Sequence, residues 1–322
     1  MKITNYAIIF ILVFICCIVR IDIKYNNLEI MESKKVAYNN YIDNAVDDAV
    51  INLIDYDSTQ TDSYNLNRNL CVEKFFKSLY SSFGVLSNTD LKEKINRCIP
   101  VITITDYDGF YIYYRDLYKD AEGYTYSKTN WTEKFPYSYD DGNYIYSFTF
   151  STIIKVYDKS TNTIFEGERA DAKLQFPHSE ILNSDDSFEH YRRFSITDAI
   201  QNKLEYYINK YNSIADQFGF KYAFFLPENT HYEIERSIDN IGMFVIFQNY
   251  PYGIGTNDVY NRYVYGAARI KKKDSYYLTI DENGEKTYHK YSCHKAKDVT
   301  DTCESKKECA AKGYFPCEIC DP

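Results

Sequence analysis

VITITDYDGFYIYY, residues Val101 to Tyr114, sets two β-branched and aromatic runs either side of Asp106-Tyr107-Asp108-Gly109, the signature of a hairpin. Here the chain changes from helix to strand. The same grammar returns at Asp140-Asp141-Gly142, between Tyr137 and Tyr144, and at Asp158 to Asn162, between Ile153 and Ile164. Short turns of this kind join antiparallel neighbours, so the fold class is α+β, with a mostly antiparallel sheet body and packed helices over residues 100–284. The Asp-rich turns superficially resemble calcium loops, but none carries the full EF-hand ligand series, and turn chemistry accounts for them.

Upstream of the hairpin, Leu70 to Phe83 and Asp90 to Cys98 read as short helices, stopped near Gly84 and by Pro100. Before them Tyr38, Tyr41, Ile42, Ala45, Val46, Ala49, Val50, Leu53 and Ile54 recur at helical spacing, with Asp43, Asp47 and Asp48 opposite. The acidic triplet reads as a solvated face rather than a cation site. Residues 25–99 are therefore a helical stalk followed by short helices. At the start, Tyr6 to Val19, YAIIFILVFICCIV, is an unbroken apolar run. Ile3, Thr4 and Asn5 extend it, and Lys2 and Arg20 can snorkel, which makes a span of roughly 17–20 residues feasible. Residues 1–24 read as a single-pass transmembrane anchor continuous with the stalk. A cleaved signal peptide is the alternative; Ile18 to Asp22 offers it no small-x-small site. The basic residues Arg20, Lys24, Lys34 and Lys35 favour a cytoplasmic body, yet long trailing domains translocate regardless, and an extracytoplasmic body at the cell membrane is the expectation.

Downstream, Ser195 and Asp198 have the spacing of a capping box and open a helix through Ile196, Ile200, Leu204, Ile208, Tyr211 and Ile214, ending before Gly219. Strands are predicted at Tyr222 to Leu226, Gly242 to Phe247, Ala267 to Lys271 and Tyr276 to Ile280. After the Asp281 to Gly284 turn a last one runs from Lys286 to Tyr291.

At 322 residues the chain can build one large domain or two modest ones beyond the anchor. Its net charge of −9 argues against a general nucleic-acid binder, which carries a basic footprint. Against 12 Gly stand 35 Tyr and 20 Phe, a load that suits half-buried strands and contact surfaces; AT-rich coding explains it equally. The five histidines, His178, His190, His231, His289 and His294, belong to no metalloprotease motif, and no nucleophile elbow, dinucleotide fingerprint or P-loop is present. His190 beside Arg192 and Arg193 reads as a solvated helix approach rather than a phosphate site. No catalytic residue is assigned.

Chemical specificity concentrates in residues 285–322, a Cys/His-rich module. His289-x3-Cys293 is followed, after 23 intervening residues, by Cys317-x2-Cys320. A Cys-x2-Cys knuckle presents two thiolates from one turn, and a His-x3-Cys strand end adds two donors, which completes a tetrahedral Zn²⁺ shell. His294, Cys303 and Cys309 are further candidate ligands, and a disulfide knot is the competing reading. Zinc on the first four leaves Cys303 and Cys309 free to pair with each other. Cys71 and Cys98 are a candidate disulfide or, equally, two buried thiols.

His289 to Cys320 resembles the small module that trails several secreted bacterial nucleases. Its second half is similar to the N-terminal metal-binding domain of the Ada-type DNA-repair methyltransferases. The resemblance covers about a tenth of the chain and is carried by His289, Cys293, the helix from Glu308 to Tyr314, and Pro316-Cys317-Glu318-Ile319-Cys320. It implies His289, Cys293, Cys317 and Cys320 as ligands. His294 beside Cys293, with the extra Cys303 and Cys309, departs from the pattern and leaves the ligand set ambiguous. Methyl transfer from DNA is not carried over.

As a whole the chain resembles a set of uncharacterised single-pass membrane proteins of low-GC Gram-positive bacteria, with the layout of pilin-like components of Tad-type surface and secretion machines. A Gly before the apolar run and a Glu inside it, both expected of a type IV pilin, are missing. The resemblance implies a membrane partner, protein partners in an envelope assembly and a non-enzymatic structural or interaction role. Two alternatives stand beside it. Thr105 to Phe110 resembles the hairpin of Cache and PAS-like domains, which implies an extracytoplasmic sensor acting through a partner. DNA contact by the C-terminal module is the lesser one, since Glu285 to Pro322 balances seven Lys against seven Asp or Glu.

Overall fold

Apolar spacing and apolar continuity meet in the first element, α1 (Ile3–Val50), one helix of 48 residues. From Ile42 to Val50 the three-and-four spacing takes Ile42, Ala45, Val46, Ala49 and Val50 into a core. From Phe10 to Val19 every residue is apolar and every side chain exposed, 70% at Phe10 and 51% at Ile15. The computed structural model describes residues 3–56, 64–218, 223–226, 234–235, 239–252, 259–268, 276–281, 284–289, 293, 295, 299–303 and 306–320, without the side chains of residues 3–5, 7, 9, 55, 56 and 218. Among the described residues no helix is long and apolar enough to cross a membrane. The continuous described apolar stretch, Phe10 to Val19, rises about 15 Å, half of a hydrocarbon core of about 30 Å. The transmembrane segment expected over residues 1–24 is therefore not met within them, and part of that expectation lies outside them.

Met1–Ala268 forms one compact unit and Arg269–Pro322 a second. In the first, β1 (Ile54–Tyr56) pairs with β2 (Tyr64–Leu66). The short helices α2 (Arg68–Ser82) and α3 (Thr89–Arg97) follow, capped by Asn67 and Asn88, whose side chains accept the amides of Leu70 and Leu91. The expected hairpin is β3 (Val101–Asp106) with β4 (Gly109–Lys119), Val101 opposite Tyr114. β5 (Thr125–Trp131) folds back on β4. β6 (Phe135–Asp140), β7 (Tyr144–Phe148), β8 (Ile153–Asp158) and β9 (Thr163–Glu168) continue as a meander. β10 (Gly242–Pro251) and β11 (Val259–Ala267) return to the far side of β3. The sheet order is β11-β10-β3-β4-β6-β7-β8-β9, with every pair antiparallel.

Period-two alternation sends successive side chains of the central strands into two different cores. On β10, Met243, Val245 and Phe247 pack with α1, α2 and α3, whereas Phe244 and Ile246 pack against α6 (Asp185–Ala215). With α6 lie α4 (Arg169–Gln175) and α5 (Glu180–Asn183), which add Ala172, Ile181 and Leu182. The approach of α1 to the sheet is set by a residue without a side chain. A Cβ on Gly266 of β11 would stand 2.4 Å from Val46 Cγ1.

Three expectations downstream need correction. The helix expected to open at Ser195 begins ten residues earlier, where the Ser184 side chain accepts the Ser187 amide at 3.0 Å. Ser195 lies buried inside α6 and donates to Tyr191 O at 2.6 Å. The preceding turns hold because Phe188 packs in the core and Arg192 is paired with Glu189 and Asp239, both at 2.8 Å. Nor do residues 223–226 form a strand; Tyr222 lies outside the described residues. The Asn212 amide takes both the N–H and the C=O of Phe224, and Gln248 takes those of Phe225, so side chains replace a ladder. Of the strand expected at Ala267 to Lys271 only Ala267 is in one: it ends β11, which starts at Val259 where no strand was expected and is fixed by pairing with β10, Ala267 opposite Gly242. Ala268 follows it outside the strand, and residues 269–271 lie outside the described ones.

Candidate metal centre

The second unit is a small sheet with one helix. β12 (Tyr276–Ile280) and β13 (Lys286–His289) form a hairpin over the Asp281–Gly284 turn, where Gly284 takes φ +81° and the Asp281 carboxylate accepts the Glu285 amide at 2.7 Å. β14 (Asp301–Cys303) pairs with β12, and β15 (Phe315–Pro316) runs parallel to β13. Between them α7 (Lys306–Ala311) closes with Tyr314 N bonded to Cys309 O and Gly313 N to Ala310 O, a Schellman end with Gly313 at φ +79°. That reversal returns the chain along β13, and Cys317 N bonds to Tyr288 O at 3.1 Å. The last residue of β13 and the knuckle are thereby brought side by side.

His289, Cys293, Cys317 and Cys320 converge, with one donor atom of each within 4.8 Å of the others. Zinc–sulfur bonds of about 2.3 Å put tetrahedral thiolates about 3.8 Å apart, so the cluster could hold a metal ion after small closing movements. Two features of the chain fit a metal. First, the backbone N–H groups of Cys320 and Ile319 point at Cys317 Sγ. Burial pushes that thiol up, but these amides and the neighbouring thiols of Cys320 and Cys293 outweigh it and leave its pKa below the ordinary range, favouring thiolate. Second, His289 is buried with Nε2 2.8 Å from Thr279 Oγ1, while Nδ1 is buried with no hydrogen-bond partner. The Thr279 hydroxyl donates to Thr287 O at 3.4 Å and so accepts from Nε2–H, leaving the Nδ1 lone pair for the cluster. Burial, with the Lys295 charge, holds the imidazole pKa below its usual value, which keeps the ring neutral.

Two of the other candidate ligands, Cys303 and Cys309, lie outside this cluster. Both are buried in the unit's apolar cluster with Tyr276, Leu278 and Tyr288. Burial, then a hydrogen bond with Cys303, pushes the Cys309 thiol up to about 12. His294 lies outside the described residues. In the first unit Cys71 and Cys98 are free thiols with separate partners: Cys71 donates to Met243 Sδ at 3.8 Å and Cys98 to Lys94 O at 3.3 Å. Burial raises both to about 12, so they are neutral.

Thr279 was not legible as a site residue. Its place depends on register: Tyr277 pairs with His289, which makes Thr279 the diagonal neighbour on the same face. Its one sequence signal is a hydroxyl between Leu278 and Ile280 in an apolar strand. No family model, curated protein or solved structure matches the chain.

Proposed function

We propose that the chain is a non-enzymatic, membrane-attached protein serving as a structural or interaction part of an envelope assembly of pilus or secretion type. Its body stands outside the cytoplasm, and a structural Zn²⁺ is held by His289, Cys293, Cys317 and Cys320. The observation that carries the reading is α1: apolar and exposed all round from Phe10 to Val19, it continues without a break into the core at Ile42 to Val50. An all-round apolar helix belongs in a bilayer or a protein interior, and each large side chain gains about 1.5–3 kcal/mol on leaving water. The full run in the sequence, Tyr6 to Val19 with its flanking residues, is the single-pass anchor of this proposal. Three thiols and one imidazole suit borderline-soft zinc. The extracytoplasmic sensor stays the second reading: the face of β4 that carries Phe110 and Ile112 is filled with core and offers a ligand no room, whereas an open cavity lies beside Tyr111 of the same strand.

Flotation and alkaline carbonate extraction of membranes carrying the full-length chain test attachment. Retention is expected for the wild type and release for a variant with Ile11, Phe14 and Ile15 all changed to Asp; a wild-type chain recovered in the soluble fraction without detergent overturns it. Native mass measurement tests the metal. One zinc is expected, lost in Cys317→Ser and kept when Cys303 and Cys309 are both changed to Ser. Full zinc in Cys317→Ser overturns the site.

A further inference from the structure

Beside the β3–β4 turn the first unit carries an open cavity of about 400 Å³, bordered by Tyr64, Arg68, Asp106, Asp108, Tyr111 and Lys134. Tyr111 points there because it alternates with Phe110 and Ile112, which face the core. Charge in the cavity is unevenly satisfied. Asp106 is saturated: Oδ1 accepts the Tyr64 hydroxyl at 2.7 Å and the Tyr107 amide at 2.8 Å, and Oδ2 meets the Lys134 ammonium at 2.7 Å. Lys134 also bonds Asp108.

Arg68 is different. Its guanidinium lies over the Tyr111 ring, 3.7 Å from the centroid, and 5.1 Å from that of Trp131, whose indole Nε1 is held by Asn69 Oδ1 at 2.8 Å. Among the described residues it has neither a carboxylate partner nor a hydrogen bond. Stacking uses the face of a guanidinium and leaves its N–H edge free, and that edge is the part that takes a carboxylate through two parallel bonds.

We propose that this cavity binds a small monocarboxylate, its carboxylate paired with the free edge of Arg68 and its short carbon portion against the Tyr111 ring and Leu66. A single negative charge follows from the walls. Asp106 and Asp108 share the cavity, and Asp108 is half exposed; they repel phosphate and dicarboxylates more than an anion of one charge. The site requires neither membrane attachment nor the metal, so it stands or falls separately from both.

Calorimetric titration of the detergent-solubilised full chain with propionate, succinate and inorganic phosphate tests the assignment. Saturable propionate binding is expected, abolished in Arg68→Gln and weakened at least about tenfold in Arg68→Lys, because an ammonium has no planar fork. Among the described residues Arg68 makes no hydrogen bond, so both variants should lose only its stacking on Tyr111 and Trp131 and still melt cooperatively. No heat from propionate up to about 10 mM overturns the proposal, as does equal affinity in Arg68→Gln, or tighter binding of phosphate than of propionate.

Discussion

Thr279 Oγ1 stands 2.8 Å from His289 Nε2, on the side of the ring opposite the atom left for the metal. Partners of this kind fix tautomer and ring orientation, and their loss costs roughly 10–100-fold in metal affinity. Thr279→Val, which keeps the shape and removes the hydroxyl, should weaken zinc binding by that factor, while Thr279→Ser should not. Competition with a chromophoric chelator measures both. Equal affinity in Thr279→Val would leave the hydroxyl no part in positioning His289.

Gly266 is where β11 lets α1 close on the sheet. In Gly266→Ala the new methyl meets Val46 Cγ1 at 2.4 Å and Val50 Cγ1 at 3.3 Å, both on a buried helix face. Overpacking of this kind costs about 1–3 kcal/mol. Adding Val46→Ala should recover part of the loss, because the two sites share one contact. Denaturant melts of the single and double variants decide it; an unchanged midpoint in Gly266→Ala contradicts the packing.

The start of α6 separates two serines by role. Ser184→Ala removes the side chain that accepts the Ser187 amide and should cost about 1 kcal/mol. Ser195→Ala removes a hydroxyl bonded back to Tyr191 O inside the helix and should stay within about 0.5 kcal/mol. If the larger loss came from Ser195→Ala, the helix would have to begin where the capping box suggested.

Glu189 gives unit one a pH dependence of known sign. Hydrogen bonds from Arg192, with Arg193 adding to them, outweigh burial and hold its carboxyl below the usual glutamate range. A carboxyl whose pKa is depressed by folding contributes stability above its unfolded value, about 4.3, and loses it as pH falls through the lowered native value. The group is 45% exposed, so solvent screens the effect to a small one. Stability of the wild type relative to Glu189→Gln should be largest near neutrality and shrink in acid. A gap that is constant with pH removes the linkage.

Local chemistry alone determined a good deal. Turn residues at Asp106 to Gly109, Asp140 to Gly142 and Asp158 to Asn162 placed three hairpins, because turn type depends on residues a few positions apart. The spacing His289-x3-Cys293 and Cys317-x2-Cys320 named the four converging donors, since a knuckle is itself a local turn. Long-range pairing decided the rest. Nothing near Gly242 in the sequence says that β10 lies beside β3 across some 135 residues, and that placement is what buries β10 on both faces. Burial of Phe188 and Arg192 overrode the capping signal at Ser195, since a helix end is settled by what its first turns pack against. Thr279 and Arg68 became visible only with register and stacking in hand. The physical reason is the same for both: a hydroxyl or a guanidinium acquires a role from the atoms a fold sets within about 3–4 Å of it, and the sequence orders residues along the chain without saying which of them meet across a sheet.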